Sequence, residues 1–235
     1  MTQTYLVRIS EIIEETKDVR TFRLKFEDKV NFSFLPGQFV MLTIDSDSEK
    51  QKRAYSLTSS PLSEDIIDIT FRIEGAFTSK LGRLALGEQV TIIGPYGHFT
   101  FNESINQDLV LVAGGTGIAP FRSYIKYIID KKLSNKVILF YSSKTPEDII
   151  YYNEFKRLEK SHQNLNCIFT VTRHESSNWE GFTGRIDENM LKRYVMNLSD
   201  KIFYSCGPTS LVNEFVGILK SNNVKDEQIK TEKWG

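Results

Sequence analysis

The sequence predicts two domains of different class: an antiparallel β-barrel over residues 1–104, then an α/β domain over 105–235 built on a doubly wound, five-stranded parallel sheet. Three observations carry this expectation. Residues 1–100 alternate apolar and polar side chains with period two, the mark of strands with one buried face. From about residue 105 that period gives way to solid apolar runs alternating with amphipathic stretches, the pattern of strands covered on both faces by helices. A chain of 235 residues also suits two domains of roughly 100 to 130 each.

In the first half, Phe22, Leu24 and Phe26 share one face of a run whose other face carries Thr21, Arg23 and Lys25. Ile67, Ile69, Phe71 and Ile73 alternate in the same way with Ile66, Asp68, Thr70 and Arg72. Further strands fit 4–13, 38–45, 52–57 and 88–94. Pro36-Gly37, Ser59-Ser60-Pro61, Gly87 and Gly94-Pro95 separate them, as turn-forming residues do. One helical turn is expected at 78–84. Short strands with tight turns and a single helical turn close most economically into a barrel.

In the second half, 109–113, 137–141, 167–171 and 201–205 read as buried strands, with a fifth at 227–232. Helical spacing fits 119–131, 148–160, 187–195 and 208–221, and Pro120 and Pro208 fall at first-turn positions where a missing N–H costs little. Repeated strand–helix alternation implies a parallel sheet whose ligands gather at the carboxyl ends of its strands.

Composition excludes several classes. Apolar residues make up 40% and charged residues 26%, and Lys plus Arg equal Asp plus Glu at 30 each. No overall basic field draws the chain to nucleic acid or a membrane surface. The first residues lack the basic head and apolar core of a signal peptide, and the longest uncharged apolar run, 109–121, is too short to span a bilayer. The expectation is therefore a cytoplasmic monomer without membrane insertion, with Cys167 and Cys206 as free thiols. His98, His162 and His174 are scattered and form no metal-ligand set, so no metal is expected.

Two stretches carry ligand chemistry. Arg53, Tyr55 and Ser56 close a strand, with alternation sending Arg53 and Tyr55 to one face and Ser56 to the other. A guanidinium fork for phosphate, a ring for stacking and a hydroxyl for a ring nitrogen suit a flat ligand with a charged tail. A core tyrosine beside a solvated edge arginine is the alternative. Gly75-Ala76-Phe77-Thr78-Ser79 opens the one helical turn, where Thr78 or Ser79 can cap free amides that welcome a phosphate. Gly114 to Pro120 joins the first parallel strand to its helix and suits a pyrophosphate, although it departs from the G-x-G-x-x-G fingerprint. Cys206-Gly207-Pro208 ends the fourth strand just before a helix, where Cys206 by itself reads first as a small buried apolar residue.

Taken in order, Pro36-Gly37-Gln38, Arg53-x-Tyr55-Ser56-x-x-Ser59, Gly75-x-x-Thr78-x-x-Leu81, Gly94-Pro95-x-Gly97-x-Phe99, Gly115-x-Gly117-x-x-Pro120 and Cys206-Gly207-Pro208 resemble the ferredoxin–NADP reductase superfamily over nearly the whole chain. The resemblance implies a flavin-binding barrel followed by a pyridine-nucleotide domain, with the two rings meeting in the cleft between them. It gives Arg53 and Tyr55 the flavin phosphate and ring, and Ser56 the reactive N5 side, with Ala54, Phe71, Ile73 and Phe77 as flavin-side neighbours. Gly75, Thr78 and Ser79 match the segment that grips the flavin pyrophosphate, which favours FAD over FMN. Gly115, Thr116, Gly117 and Pro120 match the nucleotide loop. Cys206, with Gly207 and Pro208, sits where the family presents a thiol to the nicotinamide. Glu232-Lys233-Trp234 resembles an acidic-x-aromatic ending in which Trp234 covers the flavin, although Gly235 follows it and tryptophan replaces the usual tyrosine.

The implied chemistry is hydride transfer from NAD(P)H to flavin, with Ser56, Cys206 and Glu232 orienting the reacting rings and Glu232 holding a proton or tuning the charge. Thr172-Arg173-His174 falls where relatives select the nucleotide, and Thr172 with Arg173 suits the 2′-phosphate of NADPH over NADH, although the further basic or tyrosine contact is not evident in Ser176-Ser177-Asn178-Trp179. The acceptor is expected to be a separate ferredoxin, flavodoxin or oxygenase component, or a small molecule such as free flavin or a ferric complex. Lys131-Lys132, Lys192-Arg193 and Lys50 to Arg53 are candidate docking charges for an acidic carrier. A non-catalytic flavoprotein subunit is the contrasting reading, opposed by the retained glycine turn.

Overall fold

A computed structural model describes residues 3–44, 51–63, 65–173 and 179–234. His174, Ser176, Ser177, Asn178, Lys50 and Gly235, invoked above, lie outside the described residues. The chain forms two compact units, one of residues 1–102 with 119–131 and the other of 103–118 with 132–235.

The first unit holds six strands, β1 (Gln3–Thr16), β2 (Val19–Phe26), β3 (Phe39–Thr43), β4 (Lys52–Ser56), β5 (Ile66–Arg72) and β6 (Gln89–Tyr96), and helix α1 (Ala76–Leu81). The antiparallel sheet runs β4-β3-β6-β1-β2-β5. An antiparallel bridge between Leu57 and Ile69 joins the two outer strands and closes the barrel. Period-two alternation delivers Val7, Ile9, Phe22, Leu24, Val40, Leu42, Ile69 and Ile92 to one core. Gly37 lies at φ +92, and a Cβ there would stand 2.1 Å from the Phe99 carbonyl. Only glycine fits that approach, so Pro36-Gly37 and the Gly97–Phe99 turn are a packing contact within this unit.

One expectation for the barrel needs amending. Alternation predicted a polar outer face for β5, yet Asp68 and Thr70 are buried, 1% and 5% exposed. The Thr70 hydroxyl meets that of Thr21 on β2 at 2.7 Å, and helix α2 (Ala119–Asp130), which packs in this unit, covers Asp68. Its Arg122 donates to Asp68 Oδ2 at 3.1 Å and to the Thr58 carbonyl at 3.1 Å, while Ser123 donates to the Ser59 carbonyl at 2.7 Å.

The second unit holds β7 (Asp108–Gly114), β8 (Val137–Ser143), β9 (Leu165–Val171), β10 (Phe182–Thr183), β11 (Lys201–Pro208) and β12 (Ile229–Trp234), with helices α3 (Tyr152–Ser161), α4 (Glu188–Tyr194) and α5 (Thr209–Ser221). Every neighbouring pair in the order β10-β9-β8-β7-β11-β12 is parallel. The five expected strands are present, and the two-residue β10 adds a sixth at one edge. The order reverses between β7 and β11, the topological switch point at which such sheets bind ligands. Helix α3 begins at Tyr152 rather than 148, because Tyr151 adopts a left-handed φ of 60° and interrupts the helical run. Met190, Leu191, Phe215 and Leu219 from α4 and α5 pack with Val110, Val112, Phe140 and Phe203 of the sheet. Among the described residues no helix is long and apolar enough to cross a membrane.

Candidate functional site

In the first unit, β4 places Arg53, Ala54, Tyr55 and Ser56 opposite Leu42, Met41, Val40 and Phe39 of β3. Lys52 to Ala54 are exposed, and Tyr55 and Ser56 are half-buried. The Arg53 guanidinium lies over the Phe77 ring, 5.4 Å from its centroid. Tyr55 meets Phe71 edge to face at 6.0 Å, and Ile73 packs against the same cluster. The structure thus draws Arg53, Tyr55, Phe71, Ile73 and Phe77 from three separate segments into one neighbourhood. Burial pushes the Tyr55 phenol up from its ordinary pKa against the opposing effect of Arg53. It stays a neutral donor at physiological pH.

The start of α1 differs from expectation. Gly75 is its N-cap, and neither Thr78 nor Ser79 caps the helix from in front. The Thr78 hydroxyl instead folds back from the third helical position to accept the Glu74 and Gly75 amides, both at 3.0 Å. The Ser79 amide donates to the Gly75 carbonyl at 2.8 Å, as a residue inside the helix does. Nothing stands within 4 Å of the position a Gly75 Cβ would take. An exposed guanidinium, a neutral phenol and an open glycine turn are a donor set that fits an aromatic ligand bearing phosphates.

In the second unit, Gly115–Ile118 forms a 3₁₀ turn directly after β7. Gly115 has φ +54, and no atom stands within 4 Å of its would-be Cβ. Gly117 is the opposite case: its Cβ would lie 2.1 Å from the Cys206 carbonyl oxygen. At φ +151, Gly207 approaches the Gly114 backbone, with its would-be Cβ 3.0 Å from the Gly114 nitrogen. The glycine turn and the Cys206-Gly207-Pro208 strand end are therefore pressed together at the switch point. Thr116 is half-buried, and Pro120 is buried in the first turn of α2. A left-handed glycine with an open face at the start of a 3₁₀ turn fits a pyrophosphate.

Cys206 is 1% exposed and pairs in register with Glu232 of β12. Burial, with Glu232 adding to it, pushes the Cys206 thiol well up, and burial raises the half-exposed Glu232 carboxyl. Each shift favours the protonated form. Trp234 pairs with Pro208, its carbonyl accepts from Thr209 Oγ1 at 3.3 Å, and its side chain is 42% exposed. At the end of β9, the Thr172 amide and hydroxyl both donate to the Ser143 carbonyl, at 3.0 and 3.3 Å. The Arg173 amide donates to the Lys144 carbonyl, leaving its side chain exposed.

Three side chains that shape these regions were not singled out from the sequence. Asp68 and Arg122 form a buried ion pair behind Thr58 and Ser59. Tyr141 lies beneath the glycine turn, its hydroxyl donating to the Gly115 carbonyl at 3.0 Å. Polar groups within apolar runs were the available signal.

Comparison with known proteins agrees with this geometry. The family model of the oxidoreductase FAD-binding domain matches residues 6–101, and that of the oxidoreductase NAD-binding domain matches residues 111–216. The glycine betaine monooxygenase reductase subunit of Pseudomonas aeruginosa is 28% identical over 235 residues, covering 98% of this chain and 64% of that protein. The sulfhydrogenase 2 subunit gamma of Pyrococcus furiosus is 38% identical over 169 residues, covering 70% of this chain and 57% of that protein. The chain spans less than two thirds of the length of these relatives. Among solved structures, the FAD/NAD-binding domain of nitric oxide dioxygenase from Vibrio cholerae superposes with a TM-score of 0.89 at 20% identity, covering 98% of both chains. With an FAD-binding barrel domain and an NAD-binding α/β domain in tandem, the chain belongs to the ferredoxin–NADP reductase superfamily.

Proposed function

We propose that the protein is an NAD(P)H-dependent flavoprotein reductase, with residues 1–104 binding FAD and 105–235 binding the pyridine nucleotide. It passes electrons to a separate acceptor, an oxygenase component or a small carrier of the ferredoxin or flavodoxin type. The observation that carries this reading is the tandem match to FAD-binding and NAD-binding domains. It falls on one chain with a cationic aromatic strand end in the first and an open glycine turn in the second. Relatives named as reductase subunits of a monooxygenase and as a sulfhydrogenase subunit support a separate acceptor.

Within this reading, Arg53 binds a flavin phosphate, Tyr55 offers its ring and a neutral phenol, and Ser56 offers a hydroxyl to the ring edge. Ala54, Phe71, Ile73 and Phe77 line that side, and the Gly75–Ser79 turn favours the dinucleotide FAD over FMN. A bound flavin supplies the redox chemistry, accepting two electrons together and releasing them one at a time. Gly115, Thr116 and Gly117 hold the nucleotide phosphates, with Pro120, Gly207 and Pro208 shaping the turn around them. Cys206 presents a protonated thiol to the nicotinamide, and the Glu232 carboxyl, its pKa raised by burial, serves as a proton donor or tunes the local charge. With the Thr172 hydroxyl donating to Ser143, the 2′-phosphate contact falls to Arg173, which favours NADPH.

Anaerobic mixing of the yellow protein with NADPH, and separately with NADH, tests this through the flavin absorbance. Rapid bleaching is expected, faster with NADPH. Arg173→Ala should raise the KM for NADPH about tenfold, as loss of a charge-assisted hydrogen bond implies, and leave that for NADH unchanged. Absence of bleaching with both nucleotides would reject the reductase reading.

A further inference from the structure

Tyr141 is fully buried near the carboxyl end of β8, beside Ala113 of β7. A tyrosine there is in itself ordinary core packing. Its hydroxyl is not ordinary, since it joins the backbones of two separate loops. It donates to the Gly115 carbonyl at 3.0 Å and accepts the Ile150 amide at 3.2 Å.

Gly115 needs such a partner. Glycine populates positive and negative φ about equally, so nothing intrinsic selects the observed φ of +54. A buried hydroxyl fixed by the Ile150 amide provides the selection. Peptide planarity then carries the effect one residue further. The Gly115 carbonyl and the Thr116 N–H belong to one trans peptide and point in opposite directions. A carbonyl turned inward onto Tyr141 therefore turns the Thr116 amide outward, on the turn whose Gly115 Cβ position is open.

We infer that Tyr141 is a positioning residue for the nucleotide phosphates: its hydroxyl holds the Gly115 carbonyl inward and so aims the Thr116 amide at an anion bound over the turn. This rests on the glycine turn being the nucleotide loop. The ligand chemistry is a pyrophosphate accepting a backbone N–H, and the protein supplies that donor at no further ordering cost when the ligand arrives.

Tyr141→Phe removes one oxygen and keeps the ring, which meets Phe169 at 6.4 Å. Calorimetric titration of the flavin-loaded protein with ADP, NADP⁺ and adenosine is the test. The variant is expected to bind ADP and NADP⁺ about three- to tenfold more weakly, the usual effect of losing one hydrogen bond. Adenosine, which has no phosphate, should bind as in the wild type. The KM for NADPH should rise by the same factor while kcat and the visible flavin spectrum stay unchanged. In NMR titrations with ADP, the Thr116 amide resonance should shift in the wild type and shift less in the variant, a signal that only folded molecules give. Unchanged ADP affinity in the variant, or an equal loss for adenosine, overturns the inference while leaving the nucleotide loop intact. Failure of the wild type to bind ADP and NADP⁺ rejects the nucleotide-loop reading itself and the inference with it.

Discussion

Gly115 and Gly117 stand two residues apart, yet alanine should affect them in opposite ways. At Gly117 the new Cβ would meet backbone, 2.1 Å from the Cys206 oxygen and 2.6 Å from its carbonyl carbon. Backbone cannot swing aside as a side chain does, so the cost should reach or exceed the ~1–3 kcal/mol of ordinary overpacking. Thermal unfolding of Gly117→Ala is expected to begin at least several degrees lower. At Gly115 the Cβ meets nothing, and the penalty is the left-handed backbone alone, about 1–2 kcal/mol. Its methyl would instead occupy the open side of the turn, so Gly115→Ala should lose ADP affinity with the smaller change in melting temperature. Equal thermal losses in the two variants would contradict this account. Part of this was legible early, because glycines between an apolar run and a helix already read as a tight turn suited to phosphate. Which glycine is pressed against backbone and which has an open face was not, since Gly117 is constrained by Cys206, distant in the chain. Thr78 gives a similar lesson: its hydroxyl was recognised as a capping group, but the third helical position from which it acts depends on where the helix starts.

Among the elements, α2 departs most from its sequence pattern. Helical spacing identified it correctly, but amphipathicity implied a solvated face, and its first seven residues, Ala119 to Ile125, are buried. The reason is polar pairing. Arg122 and Asp68 have side chains only 6% and 2% exposed, and each is satisfied within the unit. Removing one member of such a pair leaves a buried charge short of a partner, typically a loss of about 3–5 kcal/mol. Asp68 keeps a second cation, Arg23, whose Nε lies 3.0 Å from Oδ1. Arg122→Met is therefore expected near the lower end of that range, read as a reduced midpoint in urea. Asp68→Ala takes a carboxylate from two arginines at once, leaving Arg23 its Glu11 contact and Arg122 the Thr58 carbonyl, and should cost more. A midpoint for Arg122→Met equal to wild type would show that the pair contributes nothing net. The short β10 escaped notice for a simpler reason, since two residues carry no detectable period.

At the scale of the whole molecule, the chain leaves the first unit after residue 102, returns to it for 119–131, and finishes in the second. A chain cut at residue 104, where the sequence pattern changes, would separate α2 from Asp68, Thr58, Ser59 and Phe99, to which Arg122, Ser123 and Tyr124 donate hydrogen bonds. The 105–235 fragment is accordingly expected to expose the buried face of α2 and to aggregate on size exclusion. A fragment in which 119–131 is replaced by a helix of polar surface should be better behaved. Equal solubility of the two fragments would count against the assignment of α2 to the first unit.

The local residue pattern was enough to establish the two fold classes and the order of the motifs along the chain. Periodicity, turn-forming glycines and prolines, and strand-end polar residues are short-range signals that need no knowledge of distant partners. Only the folded chain decided that β5 is covered on its polar face, that α2 packs with the barrel, and that Tyr141 lies under Gly115. These contacts join residues 64 apart in the case of Arg122 and Thr58, and 26 apart in the case of Tyr141 and Gly115. Pairings over such separations are set by where complementary groups meet once the sheets have formed, and they leave no periodic trace in the sequence.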